Sequence, residues 1–510
     1  MTEHIQDVPA DQVGLRRDAV GSVGAVIMSA AIMGPAVSTF FNPQFSTPFS
    51  GAATPFVYVI CVIAMLLAAS GIIEMARELP SAGAFYTYVT RGLGPRAGFI
   101  TGGLMFVAYA LLAPAEVGLI GSYLQTTFET ELGVHIPWWL IGMVPAAAMV
   151  LLAYRGIAAS LKTALVLFGL EVLVILVLSL IVVGRGGADG LSLHPLSPSA
   201  SPHGFSGLAT GFVFAALSFV GFEAATTLSE EVHHPRRTVP RAILLSVVGV
   251  GALYVFCIWA EVIGLGDRET NALTGASTPW NDLAKRYAGW MKWPVIIASV
   301  SSMFAVMVSS ANGIVRILNT MGREELLPRA LAYVHPRYRT PTRAVLVVGV
   351  FSVIVAIGLG IVNGGLGDAT AGSNVYGYLG FLLTLGILPV YVLTNLAAVV
   401  YFRRTGRFSL LRHGALPLIG AALMVVLLVE QILQQTDRPY TWFPWVIVGW
   451  VVVLGAIAIW LSARRPEALK RAGAVLATGN VVDAKSIIAL NSLVSDSLQS
   501  EPARRRRSGR

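Results

Sequence analysis

Twelve apolar runs of about twenty residues succeed one another along this chain, each closed by clusters of Arg, Pro or Gly. A run of that length is what a helix needs to cross a bilayer, so each reads as a transmembrane helix. Their approximate spans are 20–42, 53–76, 98–126, 137–154, 163–184, 205–229, 241–265, 293–319, 342–362, 374–402, 413–434 and 442–462. Only 12% of the 510 residues are charged and 55% are hydrophobic, against about 25% charged in soluble domains. The fold class that follows is an all-α membrane protein with twelve transmembrane helices.

The first run follows a mixed-charge leader with Glu3, Asp7, Arg16 and Arg17 and is too long for a signal peptide, so it is expected to remain as a helix. Cys61 and Cys257 both fall inside apolar runs, which leaves no disulfide framework and no CxxC metal site. The eight histidines lie in predicted loops or at span edges, against a membrane-embedded enzyme built on a histidine base or metal cluster, while one built on Asp or Glu stays open on this count. No enzyme, metal or resident cofactor is expected.

Placing both termini in the cytoplasm puts thirty of the 36 Lys and Arg on the inner side. That bias across alternate loops supports the orientation and an even number of spans, and the expected location is the cell membrane. The basic excess is thereby a matter of topology and not of nucleic-acid binding, and the terminal "ARRRRSGR" reads as a solvated tail against anionic lipid.

The Ser/Pro/Gly-rich loop "GGADGLSLHPLSPSASPHG" divides the first ten spans into two sets of five. The predicted organisation is a tail at 1–18, a first repeat at 19–184, an outer loop at 185–204, a second repeat at 205–402, helices eleven and twelve at 403–465, and a basic tail at 466–510. Five spans is odd, so the second set enters the membrane from the opposite side, an inverted repeat. Alignment of the sets places "GAVIMSAAIMGPAVSTFF" over "GFVFAALSFVGFEAATTL", each interrupted by a Gly-centred weak point. Pro35 has no N–H for the carbonyl of Ala31 and its ring crowds that turn, so the helix is expected to open between about Met28 and Gly34. Freed backbone survives at membrane depth where it lines a wet cavity or meets a ligand. The half-helix starting at Pro35 would present a positive dipole end to an anionic substrate group. The bland alternative is a proline kink for packing; the matching interruption at Ser218–Glu223 favours the functional reading.

Three long motifs resemble the amino acid, polyamine and organocation (APC) transporter family. "GIIEMARELPSAGAFYTYVTRGLGPRAGFITGG" (71–103) is similar to its second helix and re-entrant inner loop. "SFVGFEAATTLSEEVHHPRRTVPRAI" (218–243) is similar to its sixth helix and the loop after it, and "SSANGIVRILNTMGREELLPRALAYVHPRYRTPTRA" (309–344) to the end of helix eight through the start of helix nine. The resemblance implies a leucine-transporter-like core of ten helices plus two, working by alternating access on amino acids or amines, with proton or sodium coupling. It places substrate at the two breaks: Ser29, Ala30, Ala31 and Gly34 in span one; Phe219, Gly221, Phe222 and Glu223 in span six. One departure stands out. Carboxylate-binding relatives carry Gly-small-Gly at the first break, where this chain has Met28-Ser29-Ala30. The Cβ of Met28 restricts backbone approach, which shifts the expected break toward Gly34-Pro35 and leaves room for a bulkier ligand or an amine without a carboxylate.

Ionisable groups inside the membrane cost about 2.5–3.5 kcal/mol each and need a function or a partner. Glu223 follows the sixth-span break, as a ligand for a substrate ammonium or as a cap on freed amides. Glu171 in span five aligns with a family lysine that replaces a sodium ion. It could carry the coupling proton, because burial favours the neutral carboxyl, hold a cation with Ser309 and Ser310, or stay a protonated packed acid. Glu116, beside Pro114 in span three, could select a cationic group or face an outer vestibule. Glu261 is near enough to the outer surface to be solvated. Glu74, Arg77, Arg91, Glu230 and Arg316 are expected in an inner ion-pair network that breaks on opening. A non-transporting nutrient sensor and a channel are rivals from other classes; no repeated selectivity motif supports the channel.

Overall fold

The computed structural model describes residues 20–81, 83–271, 279–323, 327–433 and 438–464. The predicted tails at 1–18 and 466–510 lie outside the described residues. Among the described residues the chain is helical, and eleven helices are long and apolar enough to cross a membrane. In chain order the first α-helices are α1 (Ser22–Met33), α2 (Pro35–Phe40), α3 (Pro43–Ser50), α4 (Thr54–Glu78), α5 (Ala84–Leu93), α6 (Pro95–Leu132), α7 (Trp138–Arg155) and α8 (Ile157–Gly184). There follow α9 (Gly204–Leu217), α10 (Pro235–Leu265), α11 (Asp267–Thr270), α12 (Pro279–Tyr287), α13 (Lys292–Arg323), α14 (Thr342–Val362), α15 (Ala369–Arg404), α16 (Leu416–Leu433) and α17 (Phe443–Arg464).

Proline starts several of these helices, in α2, α3, α6 and α10, where its missing N–H removes a donor that has no intrahelical partner anyway. The sixth apolar run is the exception in length. Its helix α9 has 14 residues and stops at Leu217; turns and a short 3-10 segment, Ala224–Leu228, carry the chain on.

Large aliphatic side chains fill the interior and also cover the exposed faces of the peripheral helices. The helices α6, α13 and α15 are buried over most of their surface, whereas α7, α8, α14, α16 and α17 expose Val144, Leu173, Ile354, Val426 and Val452. Close approach is achieved with small residues: a Cβ on Gly118 would lie 2.6 Å from the carbonyl oxygen of Gly372, so α6 and α15 touch backbone to backbone. The chain just before α1 makes a parallel bridge to the segment following the 3-10 turn. Val20 N donates to Glu231 O at 2.9 Å, and His233 N donates to Val20 O at 3.1 Å.

Candidate functional site

The first break is confined to one residue. Residues 28–33 remain helical, and the chain turns at Gly34, with φ 55° and ψ 77°, before Pro35 begins α2. Glycine takes that left-handed conformation without a Cβ penalty, and proline ends the ladder. The expected opening from Met28 is therefore corrected: no glycine lies at 28–30 to release the backbone there, and Ser29, Ala30 and Ala31 sit buried within α1. The second break spans Ser218–Glu223, between the end of α9 and the 3-10 segment. At Gly221, φ is 105°, and an added Cβ would lie 2.1 Å from Ile32 Cγ2. The two breaks thus pack against each other.

Helix breaks release backbone groups that must be paired at this depth. Here side chains, most of them from other spans, meet them. Met33 O accepts from Tyr254 Oη at 2.7 Å and from Ser38 Oγ at 2.6 Å, and Ser218 O accepts from Tyr254 Oη at 3.1 Å. Ala225 N donates to Ser29 Oγ at 3.0 Å, joining the sixth span to α1. Ala36 N donates to Glu171 Oε2 at 3.1 Å and Val37 N to Ser302 Oγ at 3.2 Å. The start of α2, expected to receive an anionic substrate group, already holds a carboxyl of the protein itself. Tyr254→Phe should lower stability by about 1–3 kcal/mol, because it strips a buried partner from both breaks; a melting curve of the purified protein measures it.

Glu223 acts as a cap. Its Oε2 accepts from Gly221 N at 3.2 Å and from Tyr391 Oη at 2.8 Å, and its Oε1 accepts from Tyr109 Oη at 2.8 Å. Phe219 packs edge-on to Tyr254, and Phe222 packs against Tyr391. These residues form the walls of the breaks.

Beside them lies a small cavity of about 30 Å³, lined among others by Met33, Val37, Leu112, Glu116, Leu217 and Tyr376. It has room for one or two waters. Glu116 is the member of the predicted substrate set that lines it; the side chain is 1% exposed, and Oε2 has no hydrogen-bond partner. The outer-vestibule alternative for Glu116 is excluded by that burial. A second cavity of about 40 Å³ adjoins it, sharing Asn42 and Tyr376, whose hydrogen bond of 2.8 Å stands between the two. A far larger groove, about 790 Å³, runs between α6, α7 and α13, but its lining holds no charged group.

Glu171 and the Ser309–Ser310 pair are not brought together. Ser302, which also hydrogen-bonds Glu171, precedes Ser309 by seven residues, about 10 Å along α13. Ser310 Oγ donates to Met307 O, and Ser309 Oγ has no partner among the described residues.

The charges expected at the inner gate divide into separate groups. Glu74 pairs with Arg77 at 2.6 Å and lies 3.5 Å from His413. Arg316 is bound by Glu231 at 3.0 Å and not by Glu230, which pairs instead with Arg323 at 2.9 Å. The reason is burial: Arg316 and Glu231 are both enclosed, whereas Arg323 lies at the end of α13 near solvent. Glu261 is likewise not solvated. It is 2% exposed and accepts from Trp280 Nε1 at 3.1 Å, because the short outer helix α12 covers it. The sequence signals for Glu231 and Tyr254 were an acid adjacent to a predicted one and a hydroxyl inside an apolar run. For Ser302 and Trp280 only the tertiary packing reveals the role.

Residues 20–458 match the family described as amino acid permease. A low-affinity putrescine importer of Escherichia coli (strain K12) is 28% identical, over 74% of this chain and 80% of its own length. A branched-chain amino acid permease of Bacillus subtilis (strain 168) is 28% identical, over 78% and 84%. A methylthioribose transporter of Bacillus subtilis (strain 168) is 24% identical, over 83% and 88%.

Proposed function

Because the chain belongs to the amino acid permease family, we propose that it is a secondary active transporter that moves an amino acid or a related amine by alternating access with proton coupling. As a permease it is a multi-pass membrane protein and not an enzyme. In this reading the short helix α9 and the turns after it count as a sixth span, which makes twelve. Spans one to five and six to ten form oppositely oriented repeats, and both termini face the cytoplasm across the cell membrane.

The observation that carries the reading is the meeting of two interrupted spans beside a small cavity. In transporters built from inverted repeats, such paired interruptions mark the site where substrate binds. Substrate chemistry follows relatives named for putrescine and for branched-chain amino acids.

Glu171 is the proposed proton carrier. It caps Ala36 N, at the start of α2, so gain and loss of its proton act directly on the half-helix that has to move. Glu171→Gln keeps an oxygen for that amide but cannot exchange a proton. Reconstituted into liposomes, wild type should show saturable uptake that rises with an inward proton gradient. The variant should take up substrate at a rate that ignores the gradient. Uptake equally indifferent to pH in both proteins removes the proton assignment; flux that never saturates points to a channel, and binding without flux to a sensor.

A further inference from the structure

We propose that the corner where α7 meets α14 is a headgroup site for an anionic phospholipid, built from Arg155, Arg337, Arg339 and Arg343. Its place in the inner leaflet rests on the proposed orientation; the site itself does not. The sequence supplies the charge imbalance. No Asp or Glu occurs between residues 133 and 170 or between 326 and 367, the two stretches that hold these arginines. All four residues are exposed, and none of them forms an ion pair among the described residues.

The fold brings the two stretches together. Helices α7 and α14 pack so closely that a Cβ on Gly349 would lie 2.3 Å from Val150 Cγ2. Arg155 ends α7, and Arg343 lies in the first turn of α14. The turn at 335–340 docks on the end of α7: Thr340 Oγ1 donates to Tyr154 O at 3.0 Å, and the rings of Tyr338 and Tyr154 lie 5.5 Å apart. That turn is fixed from within. His335 Nδ1 accepts from Arg337 N at 3.2 Å, and Arg339 N donates to His335 O at 2.8 Å. Arg339 is held at φ 51°, a left-handed conformation uncommon for a residue with a side chain. Arg343 lies over the Tyr333 ring at 4.6 Å and Arg337 over that of Tyr338 at 5.7 Å, so aromatic faces orient these guanidinium groups without neutralising them.

Four like charges on a rigid frame attract an anion, and guanidinium forks match the oxygens of a phosphate. The surface alongside makes that anion a lipid. One turn from Arg155, α7 exposes Leu151; one turn from Arg343, α14 exposes Leu346 and Val347, followed by Val350 and Ile354. A phosphate held by the arginines therefore has an aliphatic band beside it to receive its acyl chains.

Native mass spectrometry of the full chain tests this, from detergent micelles doped with dioleoylphosphatidylglycerol or, at equal mole fraction, dioleoylphosphatidylcholine. One phosphatidylglycerol should stay bound at detergent levels that strip phosphatidylcholine. Arg337→Gln with Arg339→Gln should weaken its retention by roughly thirtyfold. The equally charged control Arg403→Gln with Arg412→Gln, at exposed arginines elsewhere, should retain it. Equal retention of the two lipids, full retention by the first variant, or equal loss in both variants, as diffuse attraction to any basic face would give, overturns the proposal. Displacement of the lipid by equimolar inorganic phosphate overturns it too. Should the first variant fail to fold, Arg155→Gln with Arg343→Gln takes its place with the same expectation. Micelles have no sides and carry no flux, so failure here leaves the orientation and the transport reading standing.

Discussion

Gly221→Ala is expected to cost about 2–5 kcal/mol and to abolish transport. Two terms add. A positive φ costs an L-residue about 1–2 kcal/mol, and the new methyl would lie 2.1 Å from Ile32 Cγ2, an overpacking worth about 1–3 kcal/mol. Ile32 cannot swing clear, because a β-branched side chain within a helix is confined to one χ1 well. The unfolding midpoint of the purified protein should therefore drop by several degrees, while Gly249→Ala, whose added methyl meets nothing within 4 Å, should leave it unchanged or slightly raised. Adding Ile32→Ala to Gly221→Ala should recover part of the loss. A double variant no more stable than the single one would show that the two breaks are not in the close contact described.

The second large effect is expected at Arg316. Its guanidinium donates to both carboxylate oxygens of Glu231 and to Asn312 O at 2.6 Å, and both ion-pair partners are buried. Arg316→Met should cost about 3–5 kcal/mol, because it strands a buried carboxylate and leaves the attraction of the pair unavailable to offset desolvation. Replacing Glu231 by Gln in the same chain removes the stranded charge and should restore much of the stability. Arg323→Met, at the more exposed pair with Glu230, should cost about 1 kcal/mol or less. Equal losses at Arg316 and Arg323 would contradict the contrast in burial. If the Arg316–Glu231 pair also serves as an inner gate, the double variant should fold normally yet leak substrate when the proton gradient is collapsed.

What could be read in advance was decided by properties that belong to single residues. Pro35 lacks a donor wherever it stands, so a break near it was legible, and the Met28-Ser29-Ala30 triplet correctly argued against an earlier opening. The acids in apolar runs were legible for the same reason: their transfer cost does not depend on neighbours. Their partners were not. Glu171 meets an amide 135 residues away, and Ser302 reaches the next one from α13, through a helix packing that no local pattern encodes. The choice between Glu230 and Glu231 turned on which of two adjacent side chains the 3-10 segment directs inward. Glu261 was misjudged because depth along a helix says nothing about a later segment folding over its end.

The short bridge at Val20 has a mechanical meaning. Its two links are made by peptide groups, at Glu231 and His233, and so tolerate almost any substitution that spares the main chain. They lash the foot of α1 to the strand of chain leaving the other discontinuous rod. A tilt of either rod then drags its counterpart, and Glu231, which also grips Arg316, sets the point about which such a paired swing would pivot.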